Sequence, residues 1–147
     1  MGRLIIASNR TAAPGEHAQG GLAAAVQQAL TSFGGIWLGW SGETVEGEPA
    51  GLRWHKAETF DLALTDLSAA EYEGYYIGYA NRVLWPVLHY RVDLAATDQP
   101  MFDVYQAVNR RFARYLAAIA APDDLLWVHD YHFLLLGKHL RDYGWVG

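Results

Sequence analysis

An α/β fold built on a mostly parallel sheet flanked by helices is predicted by two features of this 147-residue chain. Short apolar runs alternate with stretches whose apolar residues recur at helical spacing. Glycine and proline punctuate most junctions between them. Hydrophobic residues make up 52% and charged residues 18%, which permits a real core and argues against disorder. The length suits one domain of ordinary size.

The elements follow in order. Leu4 to Ala7 reads as a buried parallel strand ending at Ser8-Asn9-Arg10. Residues 11–19 read as a loop. Gly20-Gly21 opens a helix with Leu22, Val26, Leu30 and Phe33 on its apolar stripe, and Gly34-Gly35 stops it. Ile36 to Trp40 is a second strand. Residues 42–51 are rich in glycine and glutamate and read as an exposed hairpin or loop, and Ala57 to Leu64 is a third strand. Ser68-Ala-Ala-Glu71 has the capping-box pattern, predicting a helix from Ala69 to about Tyr79, with Pro86 as a breaker. Pro100 suits the first turn of a long helix bearing Met101, Val104, Tyr105, Val108, Phe112, Tyr115, Leu116 and Ile119. Leu125 to His129 is a further buried strand. A last helix covers about His132 to Tyr143 and stops at Gly144.

A net charge of -5 argues against a nucleic-acid partner. A single local Arg still suffices for a small anion. The absence of cysteine excludes thiolate metal sites and disulfides and makes a cytoplasmic location the default. No apolar run reaches the length of a membrane span, so no membrane partner is expected. Met1 to Ile6 is too short for a signal peptide, and Ile6 does not fit a myristoylation motif.

Open α/β sheets bind ligands beyond the carboxyl ends of their strands. Three polar clusters are expected there. Arg10 presents a planar fork suited to phosphate or carboxylate, or is simply a surface residue ending a strand. Gly20-Gly21, at a helix start, offers free N–H groups to an anion, or is a plain loop. In Trp127-Val-His-Asp-Tyr-His132, Asp130 and His129 suit sugar hydroxyls; Asp130 alternatively caps the helix, and His129, Asp130 and His132 are candidate metal ligands without a zinc-motif spacing. The aromatic residues Trp37, Trp40, Trp85 and Tyr90 serve either as core or as a sugar subsite.

Five motifs together resemble the trehalose-6-phosphate synthase family: Ser8-Asn9-Arg10, Gly20-Gly21-Leu22, Trp37-Leu-Gly-Trp-Ser-Gly42, Leu84-Trp-Pro-Val-Leu-His-Tyr90 and Trp127-Val-His-Asp-Tyr-His132. Their order and gaps fit over almost the whole chain. The resemblance implies a GT-B glycosyltransferase, with residues 1–147 as an incomplete Rossmann-like amino-terminal domain on the acceptor side. It implies transfer of glucose from UDP-glucose to glucose 6-phosphate, with retained configuration and without metal or cofactor. On matching positions, Arg10, Tyr76 and Trp85 would hold the acceptor phosphate and sugar. Trp40 would line the acceptor pocket, and Gly20 and Gly21 would approach the donor diphosphate. Asp130, the catalytic residue, would bind acceptor hydroxyls near the reacting centre.

The family is much longer than this chain. Its second domain, with the Arg and Lys that neutralise the leaving diphosphate, is not in the sequence, so the chain alone is expected to be inactive. Arg82 stands where a small residue is more usual. The alternatives are a relative using glycerol 3-phosphate or a cyclitol phosphate, and a non-catalytic sugar-phosphate-binding module. A half-built sheet also predicts an unpaired edge and self-association, which leaves room for a homo-oligomer.

Overall fold

A computed structural model describes residues 2–12 and 21–146. Its centre is a sheet in the order β3-β4-β2-β1-β5. The strands are β1 (Leu4–Arg10), β2 (Gly35–Val45), β3 (Arg53–Lys56), β4 (Phe60–Ser68) and β5 (Leu125–Val128). β1 lies parallel to both β2 and β5, β2 is parallel to β4, and only β3 is antiparallel.

Period-two alternation sends each central strand's side chains to two different cores. Ile6, Trp37, Leu62 and Leu64 meet Val26 and Leu30 of helix α1 (Gly21–Phe33) on one face. Ile5, Ala7, Ile36, Leu38, Trp40 and Ala63 meet the other helices on the opposite face. These are a continuous helix from Ala69 to Leu88, α4 (Gln99–Ile119) and α5 (Leu136–Asp142). Burial on both faces explains why these strands read as unbroken apolar runs.

Several expectations are corrected. β1 and β2 run past Ala7 and Trp40, because each continues through an irregularity in register near the site. Leu22 and Phe33 are exposed, so only the middle of the α1 stripe is packed. β3 falls between the loop expected at 42–51 and the strand expected from Ala57, which is found instead as β4 from Phe60; all four residues of β3 are exposed, so no apolar pattern marks it. β5 is an exposed edge here, with Leu125 and Trp127 outward.

The capping box at Ser68 and Glu71 is formed, with Glu71 N–H donating to Ser68 Oγ at 3.1 Å and Ser68 N–H donating to Glu71 Oε2 at 2.9 Å. The helix it starts does not stop at Tyr79. After α2 (Ala69–Glu71) it becomes a π-helix over Tyr72–Leu84 and continues through Pro86 into α3 (Trp85–Leu88). The last helix begins as a separate 3₁₀ turn, Tyr131–Phe133, before α5, and Gly144 closes it at φ 84°.

Candidate active site

The site is assembled where β1, β2 and β5 end. Arg10 is the last residue of β1 and pairs with Trp40. The two residues before it are pinned from both faces of the sheet. Trp37 Nε1 donates to Ser8 Oγ at 2.8 Å, and the Tyr75 hydroxyl donates to Asn9 Oδ1 at 2.7 Å. Tyr75 is fully buried, and burial holds its hydroxyl protonated by pushing its pKa well up. The exposed Arg10 guanidinium lies over the Trp40 ring at 5.9 Å. Gly42, at φ 97°, makes room for it: a Cβ there would sit 2.8 Å from Arg10 Nη2.

From Arg10 a row of rings leads across the site. Trp40 meets Tyr76 at 5.7 Å, and Tyr76 stacks on His132 at 5.7 Å. His132 stacks on Tyr131 at 4.2 Å, and Tyr131 meets Trp85 at 5.9 Å. Trp40 is buried with its Nε1 donating to the Glu43 carbonyl at 2.7 Å, whereas Trp85 is half-exposed. Asp130 lies beside this row, with Oδ2 3.9 Å from His132 Nδ1, too far for a hydrogen bond. The row links Arg10, Trp40, Tyr76, Trp85 and Asp130, five of the seven residues the sequence singles out. Gly21 opens α1 with open space around the position of a Cβ. Gly20 lies outside the described residues.

Sequence reading named His132 only as a candidate metal ligand, gave Tyr131 no role within its motif, and missed Tyr75. The signal available was the spacing of Tyr72, Tyr75, Tyr76 and Tyr79, which marks an aromatic helix face. His132 is buried, and burial lowers its imidazole to about 4, with Asp130 opposing the shift. The ring is therefore neutral near pH 7. A buried neutral His binds fewer protons folded than unfolded between its folded value and about 6.5. Stability contributed by this group is expected to fall as pH drops from about 6.5 toward 4, and His132→Gln to flatten that part of a melting-temperature profile.

Asp130 has φ 72° and ψ 169°, a region that non-glycine residues avoid. Its Oδ1 accepts from Tyr131 N–H at 2.8 Å, which partly holds it there. Backbone strain of this kind costs about 1–3 kcal/mol, while exchanging a cap for glycine costs only a few tenths. Asp130→Gly is therefore expected to raise the unfolding free energy by about 1 kcal/mol in a urea titration. Among the described residues, no three His, Asp or Glu side chains gather as a metal-holding group. His129, one of the candidate ligands, instead faces the Trp127 ring at 4.5 Å. Among the same residues no helix is long and apolar enough to cross a membrane.

Similarity to known proteins agrees with this geometry. Residues 5–144 match the profile of glycosyltransferase family 20. The trehalose-6-phosphate synthase of Sinorhizobium fredii is 48% identical over 149 residues, covering 98% of this chain and 32% of that protein. The α,α-trehalose-phosphate synthase (UDP-forming) of Burkholderia vietnamiensis superposes with a TM-score of 0.90 at 45% identity, covering 99% of this chain and 32% of its own. That of Burkholderia xenovorans, in complex with glucose-6-phosphate, gives 0.91 at 40% identity with the same coverage. The chain thus spans about a third of the length of the relatives it matches. With a family match over nearly all its residues and a fold shared at this identity, the chain belongs to glycosyltransferase family 20.

Proposed function

We propose that the chain is the acceptor-side, amino-terminal part of a retaining glucosyltransferase that joins glucose from UDP-glucose to glucose 6-phosphate, giving trehalose 6-phosphate. The observation that carries this reading is the row from Arg10 through Trp40, Tyr76 and His132 to Asp130, with Tyr131 and Trp85 at its side. It strings a guanidinium fork, aromatic faces and a carboxylate along one row of contacts.

Arg10 and the Tyr76 hydroxyl take the phosphate, because charge-assisted hydrogen bonds to planar guanidinium are the strong ones. Trp40 walls the pocket, and Trp85 packs on the sugar's C–H face. Asp130 accepts from sugar hydroxyls and aligns the attacking one. Gly21, which opens α1, and Gly20 before it in the sequence are assigned to the donor diphosphate. The acceptor hydroxyl attacks the anomeric carbon on the face the nucleotide leaves, and a leaving phosphate oxygen takes its proton. Catalysis is then positioning and charge stabilisation, without an enzymic nucleophile. The location is cytoplasmic, the default for a chain without cysteine.

Calorimetric titration of the chain with glucose 6-phosphate, glycerol 3-phosphate and inorganic phosphate tests the acceptor. Glucose 6-phosphate is expected to bind tightest. Preference for glycerol 3-phosphate would reassign the acceptor, and no heat from any of the three would remove the reading. Given UDP-glucose and glucose 6-phosphate, the 147 residues alone are expected to release no UDP. The donor's cationic partners are proposed to lie in the two thirds of the relatives that this chain does not span.

A further inference from the structure

The helix carrying Tyr76 and leading to Trp85 is not an α-helix over most of its length. The π-helix Tyr72–Leu84 has 13 residues, whereas π-turns occur mostly singly and often at functional sites. The difference decides which side chains meet. Tyr76 and Trp85 are nine positions apart. At about 3.6 residues per turn they would point to opposite sides of the helix. Hydrogen bonds from i to i+5 widen the turn to roughly 4.4 residues, so nine positions make two turns and both rings face one way.

Asn81, between them, comes round to the same side. All three then touch the turn after β5. Tyr76 stacks on His132, Trp85 meets Tyr131, and Asn81 Oδ1 accepts from the Tyr131 hydroxyl at 3.0 Å.

The sequence supports the wide register at three places. Gly74 and Gly78 let it lie close to α4. A Cβ at Gly74 would be 2.9 Å from Val104 Cβ, and one at Gly78 would be 2.8 Å from Met101 Sδ. In an α-helix the Pro86 ring would strike the Arg82 carbonyl. Here Trp85 N–H reaches five residues back to the Ala80 carbonyl, and the Arg82 carbonyl accepts from Ala96 N–H at 3.3 Å.

We propose that Asn81 is a positioning residue of the acceptor site: presented by the π-helix, it fixes the Tyr131 hydroxyl and through Tyr131 sets the Trp85 face and the Asp130 turn. Tyr131 is then held at both ends, because its carbonyl accepts from the buried Tyr105 hydroxyl at 2.7 Å. This inference rests on reading the site as a sugar-phosphate pocket. It concerns the sugar side of that pocket, since Arg10 at the phosphate side is tied to β1 and β2 instead.

The test is a double-mutant cycle of Asn81→Ala and Tyr131→Phe, read by calorimetric titration with glucose 6-phosphate and with inorganic phosphate. Wild-type chain that binds neither ligand would overturn the underlying reading of the site. Where it binds, each single variant is expected to weaken glucose 6-phosphate at least fivefold and leave inorganic phosphate within twofold. Asn81→Ala is expected to add nothing in the Tyr131→Phe background. Unchanged glucose 6-phosphate affinity, an equal loss for both ligands, or full additivity would overturn the assignment of Asn81. Should Asn81→Ala fail to fold, Tyr131→Phe cuts the same bond by removing one atom, and its ratio of losses for the two ligands carries the test.

Discussion

Arg10→Ala is expected to weaken glucose 6-phosphate binding roughly 10- to 100-fold while leaving the unfolding midpoint nearly unchanged. A hydrogen bond to a charged group contributes about 1.5–3 kcal/mol, and each 1.4 kcal/mol is about tenfold in affinity. The side chain is exposed, and its one ring contact, over Trp40, contributes little to folding. Loss of function and of stability should therefore separate. Arg10→Lys keeps the charge and loses the fork, so an intermediate affinity is expected. Calorimetric titration of the three proteins, with urea unfolding of each, checks both halves.

The largest effect on the fold is expected from Phe112→Ala. Phe112 is 1% exposed at the centre of the core shared by the sheet, the π-helix and α4. Truncating such a ring costs about 3–5 kcal/mol, because it loses transfer energy and leaves a cavity. At this chain length the loss corresponds to a melting-temperature drop on the order of 10 °C. The ring also packs on Phe133 at 4.8 Å. Phe133 belongs to the 3₁₀ turn that carries His132, so affinity for glucose 6-phosphate is expected to fall as well. Thermal unfolding followed by circular dichroism gives the first number, and titration of the still-folded variant gives the second.

The parallel strands and long helices were legible because burial writes periodicity into a sequence. Ile5, Ile6 and Ala7 are all buried, and α4 buries Tyr105, Val108, Phe112 and Leu116 along its stripe. Where packing imposed no pattern, reading failed. Arg53 to Lys56 forms a strand whose side chains are all exposed. Leu125 and Trp127 read as core, yet they lie on an edge. The 3.6-residue period also concealed the π-helix, since Pro86 read as a breaker although the helix runs through it from the wider register before it.

The candidate site was legible through the motifs that contain Arg10, Trp40 and Asp130, residues the fold brings into one row of contacts. Its support was not. Nothing local in the sequence announces that Tyr75 would bind Asn9, 66 positions away, or that Tyr131 would bind Asn81, 50 away. Those pairings come from the folded topology. The strained backbone of Asp130 was equally hidden, because only the turn between β5 and the following 3₁₀ segment imposes it.

The account stands on a phosphorylated hexose settling among Arg10, Tyr76, Trp85 and Asp130, and the six tryptophans of the chain provide the probe. Their indole N–H resonances can be followed by nuclear magnetic resonance while glucose 6-phosphate is added. Trp40 and Trp85 should shift with saturation, while Trp54 on the far edge of the sheet and Trp127 on the exposed face of β5 stay in place. Shifts confined to Trp54 or Trp127, or no shift in any of the six, would contradict it.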